Sequence, residues 1–152
     1  MKLSFRNTAA FSCAFAFFLI TRTASSEASW DAIDKALGQT GKSLPGDVHR
    51  YGWPRRDLEV TMGGVRVEPA LALGSWAGFR MAGEGQAMAM GDLVLLASEV
   101  NPVIQALQAG GVDVLAVHNH LSGETPEVVY VLFGGHGQPE AIAKTLRSTL
   151  ET

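Results

Sequence analysis

The order of apolar patterns in the second half of the chain constrains its fold more than any other sequence feature. Residues 92–96 predict a buried strand, because an apolar run continues from residue 93 to residue 96. The helical spacing that follows Ser98, a suitable N-cap, predicts an α-helix. Further strands are predicted over residues 112–121 and 128–133, and Pro139 suits the first position of a C-terminal helix. The order β-α-β-β-α is typical of a split βαβ arrangement with its helices on one face of a sheet.

Shorter patterns in the first half predict a helix and an antiparallel meander. Ser29 can cap a short helix whose apolar residues recur with helical spacing. Residues 57–62 and 65–67 alternate between apolar and polar side chains on either side of a Gly-Gly pair, which predicts a β-hairpin. Strands are also predicted over residues 70–80 and 87–90. We therefore expect an α+β fold with a mostly antiparallel sheet.

Residues 1–28 have the pattern of a secretory signal peptide. Two basic residues precede an apolar run over residues 9–20, which is shorter than the roughly 20 residues needed to span a bilayer. Small residues at positions 23–28 suit cleavage by a signal peptidase. We expect a single mature domain over residues 29–152 that is periplasmic or secreted and retains no stable membrane span. An uncleaved membrane anchor is the alternative.

Cleavage near residue 28 would change the chemistry available to the protein. Three basic residues and Glu27 lie in the signal segment, so its removal changes the formal charge from −3 to −5. Because the mature chain is acidic, it lacks the basic surface that nucleic acids require, and we expect no nucleic-acid partner. Cys13, the sole cysteine, also lies in this segment, which excludes disulfides and thiol chemistry from the mature domain.

Histidines in the last third of the chain predict a metal site. His118 and His120 are separated by one residue on a predicted strand, so both imidazoles should lie on the same face. Two imidazoles placed in this way can chelate Zn, Cu, Ni or Fe. Glu124 is a candidate third ligand or general base, and His136 is a candidate further ligand. The alternative is a structural His-Asn-His stretch whose polar groups are satisfied by hydrogen bonds.

Cationic and aromatic residues near the middle of the chain are candidates for a binding pocket. Arg55 and Arg56 follow Pro54, and two guanidinium groups can clamp a carboxylate or phosphate. An ion pair between an arginine and Asp57 that holds the entry of the strand is the favoured alternative. Arg56 is the candidate residue to orient an anionic group. Trp76 is a candidate pocket residue, although such a tryptophan more often belongs to a core.

Five short motifs and a glycine-rich turn occur in an order typical of one protein family. They are Trp53-Pro54-Arg55-Arg56-Asp57-Leu58-Glu59-Val60, Ser75-Trp76-Ala77-Gly78-Phe79, Met90-Gly91-Asp92-Leu93-Val94-Leu95, Glu99-Val100-Asn101-Pro102-Val103, Ala116-Val117-His118-Asn119-His120-Leu121 and Gly134-Gly135-His136-Gly137. From Trp30 to its C-terminus the chain resembles the LppY/LpqO-like family of exported bacterial proteins, a domain of unknown function. The resemblance implies export and attaches no reaction to the chain.

The chain departs from the pattern of that family at two positions. The family usually carries a histidine on the strand before the glycine-rich turn, where this chain has Leu132. If the family site is a three-histidine metal centre, one ligand is missing here, and His136 is the candidate replacement. The Pro-Arg pair of the family is also altered, since Glu127 follows Pro126. Both departures weigh against catalysis.

Two functions fit these patterns. The first is a metal-binding module, with hydrolysis as a candidate reaction, in which His118 and His120 hold a divalent cation and Glu124 and Arg56 are candidate catalytic residues. The second is a non-catalytic envelope or periplasmic binding protein in which the His-Asn-His strand is structural. The expected partner is a small molecule or an envelope component, and exposed edge strands leave room for a homodimer.

Overall fold

The computed structural model describes residues 29–151. The predicted signal peptide lies outside the described residues. In chain order the described elements are α1 (Trp30–Leu37), β1 (Lys42–Leu44), β2 (Val48–Pro54), β3 (Thr61–Met62), β4 (Val65–Arg66), β5 (Gly74–Gly83), β6 (Gln86–Leu96), α2 (Ala97–Ala109), β7 (Asp113–His118), β8 (Glu124–Thr125), β9 (Val128–Gly137) and α3 (Pro139–Thr149). Within residues 29–151, no helix has both the length and the apolar character that crossing a membrane requires.

A six-stranded antiparallel sheet with the order β1-β2-β5-β6-β9-β7 forms the centre of the fold. Strands β6 and β7 run in the same direction, because each is antiparallel to β9 between them, and α2 connects them. This is a split βαβ unit. The predicted α+β class and mostly antiparallel sheet are therefore confirmed. A second, three-stranded sheet has the order β4-β3-β8. Its two-residue strand β8 is an element of the second half that the sequence did not predict.

The helices pack against one face of the large sheet and enclose the main core. Ser29 caps α1, as predicted, by accepting a hydrogen bond from the Ala32 N–H at 3.3 Å. Side chains from α1, α2, α3 and alternate positions of the strands fill the space between them. The fully buried members include Ile33, Leu37, Tyr51, Ala77, Phe79, Ala87, Ala89, Leu107, Val131, Phe133 and Ala143. Apolar burial of this extent is the main term that stabilises the domain.

A second apolar cluster covers part of the opposite face of the sheet. It consists of Leu58, Val60, Val67, Leu73, Val94, Val128 and Tyr130. The predicted hairpin contributes to this cover, and its Gly63-Gly64 turn has positive φ values of 57° and 79° that glycine readily adopts. The rest of this face is open, and Met88 and Met90 are 53% and 44% exposed on it. Candidate functional groups lie at the border of the covered and open parts.

Two predicted strand boundaries in the second half are wrong. The strands predicted over residues 87–90 and 92–96 form one strand, β6, because Gly91 continues it. A Cβ at Gly91 would clash with the Trp76 carbonyl oxygen and the Phe133 ring, so the residue allows a close approach of β5 and β9 rather than a turn. The strand predicted over residues 112–121 ends early, at His118.

The predicted N-cap of the central helix is also wrong. Helix α2 begins at Ala97, so Ser98 lies inside its first turn and is exposed. The Leu96 N–H instead donates a hydrogen bond to the carboxylate of Glu99 at 2.8 Å. A carboxylate in the first turn also interacts favourably with the helix dipole. Glu99 is therefore the residue that satisfies the start of this helix.

Arg55 links the start of α2 to residues 57–73, which cover part of the sheet and are called the covering segment. Its guanidinium donates to both carboxylate oxygens of Glu99 at 2.8 and 3.0 Å, to Asp57 at 2.8–3.1 Å and to the Val94 carbonyl at 2.8 Å. Burial opposes ionisation of Glu99, but the hydrogen bonds from Arg55 and Leu96 outweigh it and lower the pKa of Glu99. The predicted alternative for this arginine, an ion pair with Asp57, is therefore observed.

We expect Arg55→Ala to lower the free energy of unfolding by about 2–4 kcal/mol, because Glu99 and the Val94 carbonyl lose the hydrogen bonds from the guanidinium and Glu99 keeps only the Leu96 N–H as a donor. Urea unfolding followed by circular dichroism measures this loss. Arg56→Ala removes an equal charge from an exposed neighbour and should change stability by less than about 0.5 kcal/mol. Equal effects of the two substitutions would show that the Arg55 network does not stabilise the fold.

Candidate metal centre

Three neighbouring strands of the large sheet bring the candidate site together. Asp92 of β6 pairs with Leu132 of β9, which pairs in turn with Ala116 of β7. Side chains of directly paired residues project from the same face of a sheet, here the face opposite the helices. His118 ends β7 opposite Tyr130, two residues beyond Ala116, and so projects from that face as well.

One atom from each of three side chains converges at this border. His120 lies past the end of β7, yet its Nε2 atom is 2.9 Å from Nε2 of His118. Oδ2 of Asp92 lies 3.4 Å from Nε2 of His118 and 3.6 Å from Nε2 of His120. Among the described residues, these three side chains form a group whose ligand atoms all lie within 4.8 Å of one another. The two predicted imidazoles are thus together, with a carboxylate that was not predicted.

The separations within this group suit a small divalent cation. A tetrahedral metal with bonds of about 2.0–2.1 Å holds its ligand atoms about 3.3 Å apart. The three observed separations of 2.9, 3.4 and 3.6 Å bracket that value. A point about 2 Å from all three atoms therefore exists just outside their plane. Two imidazoles and one carboxylate are ligands that Zn²⁺ and non-haem Fe²⁺ commonly take.

The carboxylate of this group is buried without adequate hydrogen bonds. Asp92 is 6% exposed, and its Oδ1 atom has no hydrogen-bond partner among the described residues. Burial raises the pKa of Asp92, and positive charge on His118 and His120 only partly opposes the increase. Nδ1 of His118 is likewise buried without a partner in the described part of the chain. A buried carboxylate in this state destabilises the fold unless a cation compensates its charge.

Tyr130 packs against His120 and holds it in the candidate site. Its ring stacks on that of His120, with centroids 3.8 Å apart and an angle of 16° between the planes. Its hydroxyl donates a hydrogen bond to the Ala72 carbonyl at 2.9 Å. Because Ala72 belongs to the covering segment, this bond holds the segment against the sheet. Burial, together with the charges of Glu124 and Asp92, raises the pKa of Tyr130, so the hydroxyl stays protonated and can donate. His120 is thereby held although it lies outside a strand.

The other two predicted ligands lie outside this group. Glu124 is buried, and its carboxylate accepts a hydrogen bond from the Val128 N–H at 3.3 Å. His136 pairs with Met88 near the far end of β9, six residues from Tyr130, which corresponds to about 20 Å along a strand. His136 is therefore too far along β9 to join the two other histidines, and the carboxylate of Glu124 is directed at the backbone.

A cleft of about 700 Å³ opens beside the group. Asp92 and His120 contribute to its wall, and Arg56, the predicted anion-binding residue, lines it as well. Trp76 is half-buried and lines the same cleft, with the guanidinium of Arg50 4.3 Å from the centre of its ring. The pocket interpretation of Trp76 therefore fits the structure better than the core interpretation.

Asp92 is the functional candidate that sequence reasoning missed. An acidic residue in a predicted buried strand was the available signal, because a lone charge there requires a partner. That partner could not be identified from spacing, since 26 positions separate residue 92 from residue 118. The contact arises because β9 is inserted between β6 and β7.

Comparison with known proteins identifies a family without identifying an activity. A family model described as "Domain of Unknown Function (DUF1259)" matches residues 31–152, which is most of the chain. No curated protein and no solved structure gives a significant match. Functional inference therefore depends on the geometry of the site.

We expect Asp92→Asn to stabilise the metal-free protein by about 1 kcal/mol at pH 8, because it removes a buried charge that His118 and His120 compensate only in part and whose Oδ1 atom has no hydrogen-bond partner among the described residues. The raised pKa of Asp92 means that ionisation opposes folding above the folded-state pKa, whereas below about pH 3.9 the carboxyl is neutral in both states. The advantage of the variant should therefore disappear as the pH falls. Urea unfolding in the presence of a chelator, from pH 8 to pH 4, tests this. A variant less stable than the wild type at every pH would contradict it.

Proposed function

Since the chain belongs to the family described as a domain of unknown function (DUF1259), we propose its function from the site itself: it binds a divalent metal ion through Asp92, His118 and His120. The observation that carries this proposal is the convergence of two imidazole nitrogens and a carboxylate oxygen at 2.9–3.6 Å. Further support comes from the unpartnered Oδ1 atom of Asp92, since a cation would compensate the buried charge.

The ligand set favours Zn²⁺ or Fe²⁺ as the bound ion, with Cu²⁺ and Ni²⁺ as further candidates. Two imidazoles and a carboxylate are borderline ligands that suit these metals better than Ca²⁺ or Mg²⁺, which prefer all-oxygen sites. Three protein ligands leave at least one coordination position for a water molecule or a ligand, as in catalytic rather than structural zinc sites. A metal in this position would act as a Lewis acid on a group bound in the cleft, which makes hydrolysis the reaction class to test.

We also propose that the protein is exported and is related to the LppY/LpqO-like family. The apolar run over residues 9–20 and the small residues that follow it support export. The motifs that carry the resemblance include Asp92, His118 and His120, so the proposed ligands belong to the shared pattern. A periplasmic or secreted protein without cysteine in its mature domain would bind metal through nitrogen and oxygen alone.

A non-catalytic binding protein is the second candidate function. The observation that favours it is the Nε2–Nε2 separation of 2.9 Å, which suits a hydrogen bond in which one imidazole donates its N–H and the other, neutral imidazole accepts it. In that state the His-Asn-His stretch needs no metal, and His120 serves as part of the cleft wall. The two functions make different predictions for metal affinity.

Calorimetric titration of the purified, metal-free protein with Zn²⁺ tests the metal proposal. We expect about one ion per chain, and loss of affinity of at least about 100-fold for His118→Ala, since it removes one of three ligands. His136→Ala is the matched control, because this exposed histidine lies far along β9 and should leave binding unchanged. Fewer than about 0.1 ions per chain with Zn²⁺, Fe²⁺, Cu²⁺ and Ni²⁺ would refute metal binding and favour the second function.

A histidine introduced beside the proposed ligands tests whether the metal binds at this site. Leu132 pairs with Asp92 and with Ala116 on the face that carries the site, so a histidine there would face the same cation. We expect Leu132→His to bind Zn²⁺ about tenfold or more tightly than the wild type. Unchanged affinity would indicate that the metal binds elsewhere.

A further inference from the structure

Two arginines on the cleft beside the metal centre have no acidic partner. Among residues 29–151, neither Arg50 nor Arg56 makes an ion pair or a side-chain hydrogen bond with a carboxylate. The neighbouring Arg55, in contrast, is committed to Asp57 and Glu99. Two guanidinium groups in one concave site thus retain their full donor capacity for a ligand.

The acidic residues on the cleft are already engaged. Glu68 lines the cleft, but its carboxylate lies 3.6 Å from the guanidinium of Arg66. Asp92 is the proposed metal ligand, and a divalent cation would more than neutralise it. The charge that remains toward the open cleft is therefore positive, from the metal and from Arg50 and Arg56.

The cleft is also shaped before any ligand arrives. Arg50 stacks over the ring of Trp76 at 4.3 Å, which limits the directions its guanidinium can take. Ala72 also lines the cleft, and its carbonyl is held in place by the hydrogen bond from the Tyr130 hydroxyl. The volume of about 700 Å³ lies in the range of small-molecule sites. Because these walls are already held in place, binding of a ligand orders fewer side chains and costs less conformational entropy.

We infer that this cleft binds a small molecule that carries a phosphate or carboxylate group, with Arg56 holding the oxyanion beside the metal centre. This inference rests on the proposed metal site and names the class of ligand that site receives. The planar fork of arginine matches both oxyanions through paired hydrogen bonds. Arg50, over the ring of Trp76, adds a second positive charge to the same cleft.

Titration of the Zn²⁺-loaded full-length protein with inorganic phosphate, and separately with acetate, tests the inference. Binding followed by calorimetry should be about tenfold weaker in Arg56→Ala than in the wild type, whereas Zn²⁺ affinity measured without an anion should not change. Tighter binding of phosphate assigns the ligand to phosphate compounds, and tighter binding of acetate assigns it to carboxylates. Either result supports the oxyanion site only if binding is weaker in Arg56→Ala, and it then shows which class of anion the site prefers.

Arg80→Ala is the matched control for charge. Arg80 is exposed on β5, pairs with Met88, and does not line the cleft. Equal weakening by Arg56→Ala and Arg80→Ala, or no binding of either anion, would overturn the inference. If Zn²⁺ fails to bind while phosphate or acetate binds in an Arg56-dependent way, the proposed metal function is wrong and the oxyanion site stands.

Discussion

The burial of one carboxylate, that of Asp92, is the constraint on which the site depends. Its strand lies inside the sheet, its side chain is only 6% exposed, and one of its oxygens has no hydrogen-bond partner in the described part of the chain. Such a charge is retained only where something compensates it. His118 and His120 face it from the end of β7, and together the three side chains leave a position that a divalent cation fits.

Two adjacent arginines, Arg55 and Arg56, have different surroundings. Arg55 is half-buried and contacts Asp57, Glu99 and the Val94 carbonyl, and these contacts hold the start of α2 against the segment that covers the sheet. Arg56, the next residue, is exposed on the cleft without an acidic partner within residues 29–151. Because that segment also receives the hydroxyl of Tyr130 through Ala72, the same packing that stabilises the domain shapes the cleft.

Local patterns in the sequence predicted the fold well, and contacts between distant residues were harder to predict. Helical spacing after Ser29 and Pro139 and the apolar run of β6 are local signals, so the helices and the split βαβ order followed from them. The His-Asn-His spacing identified two of the three side chains of the candidate site. Asp92 was missed because its partners depend on the position of β9, and the predicted ligand Glu124 is hydrogen-bonded to the Val128 backbone, a contact that spacing cannot reveal.

A crystal structure of the protein grown with Zn²⁺, with an anomalous difference map at the zinc edge, tests the central claim most directly. We predict one peak about 2.0–2.1 Å from Nε2 of His118, Nε2 of His120 and a carboxylate oxygen of Asp92. A map with no peak at this position, with the two imidazoles hydrogen-bonded to each other, would contradict the account.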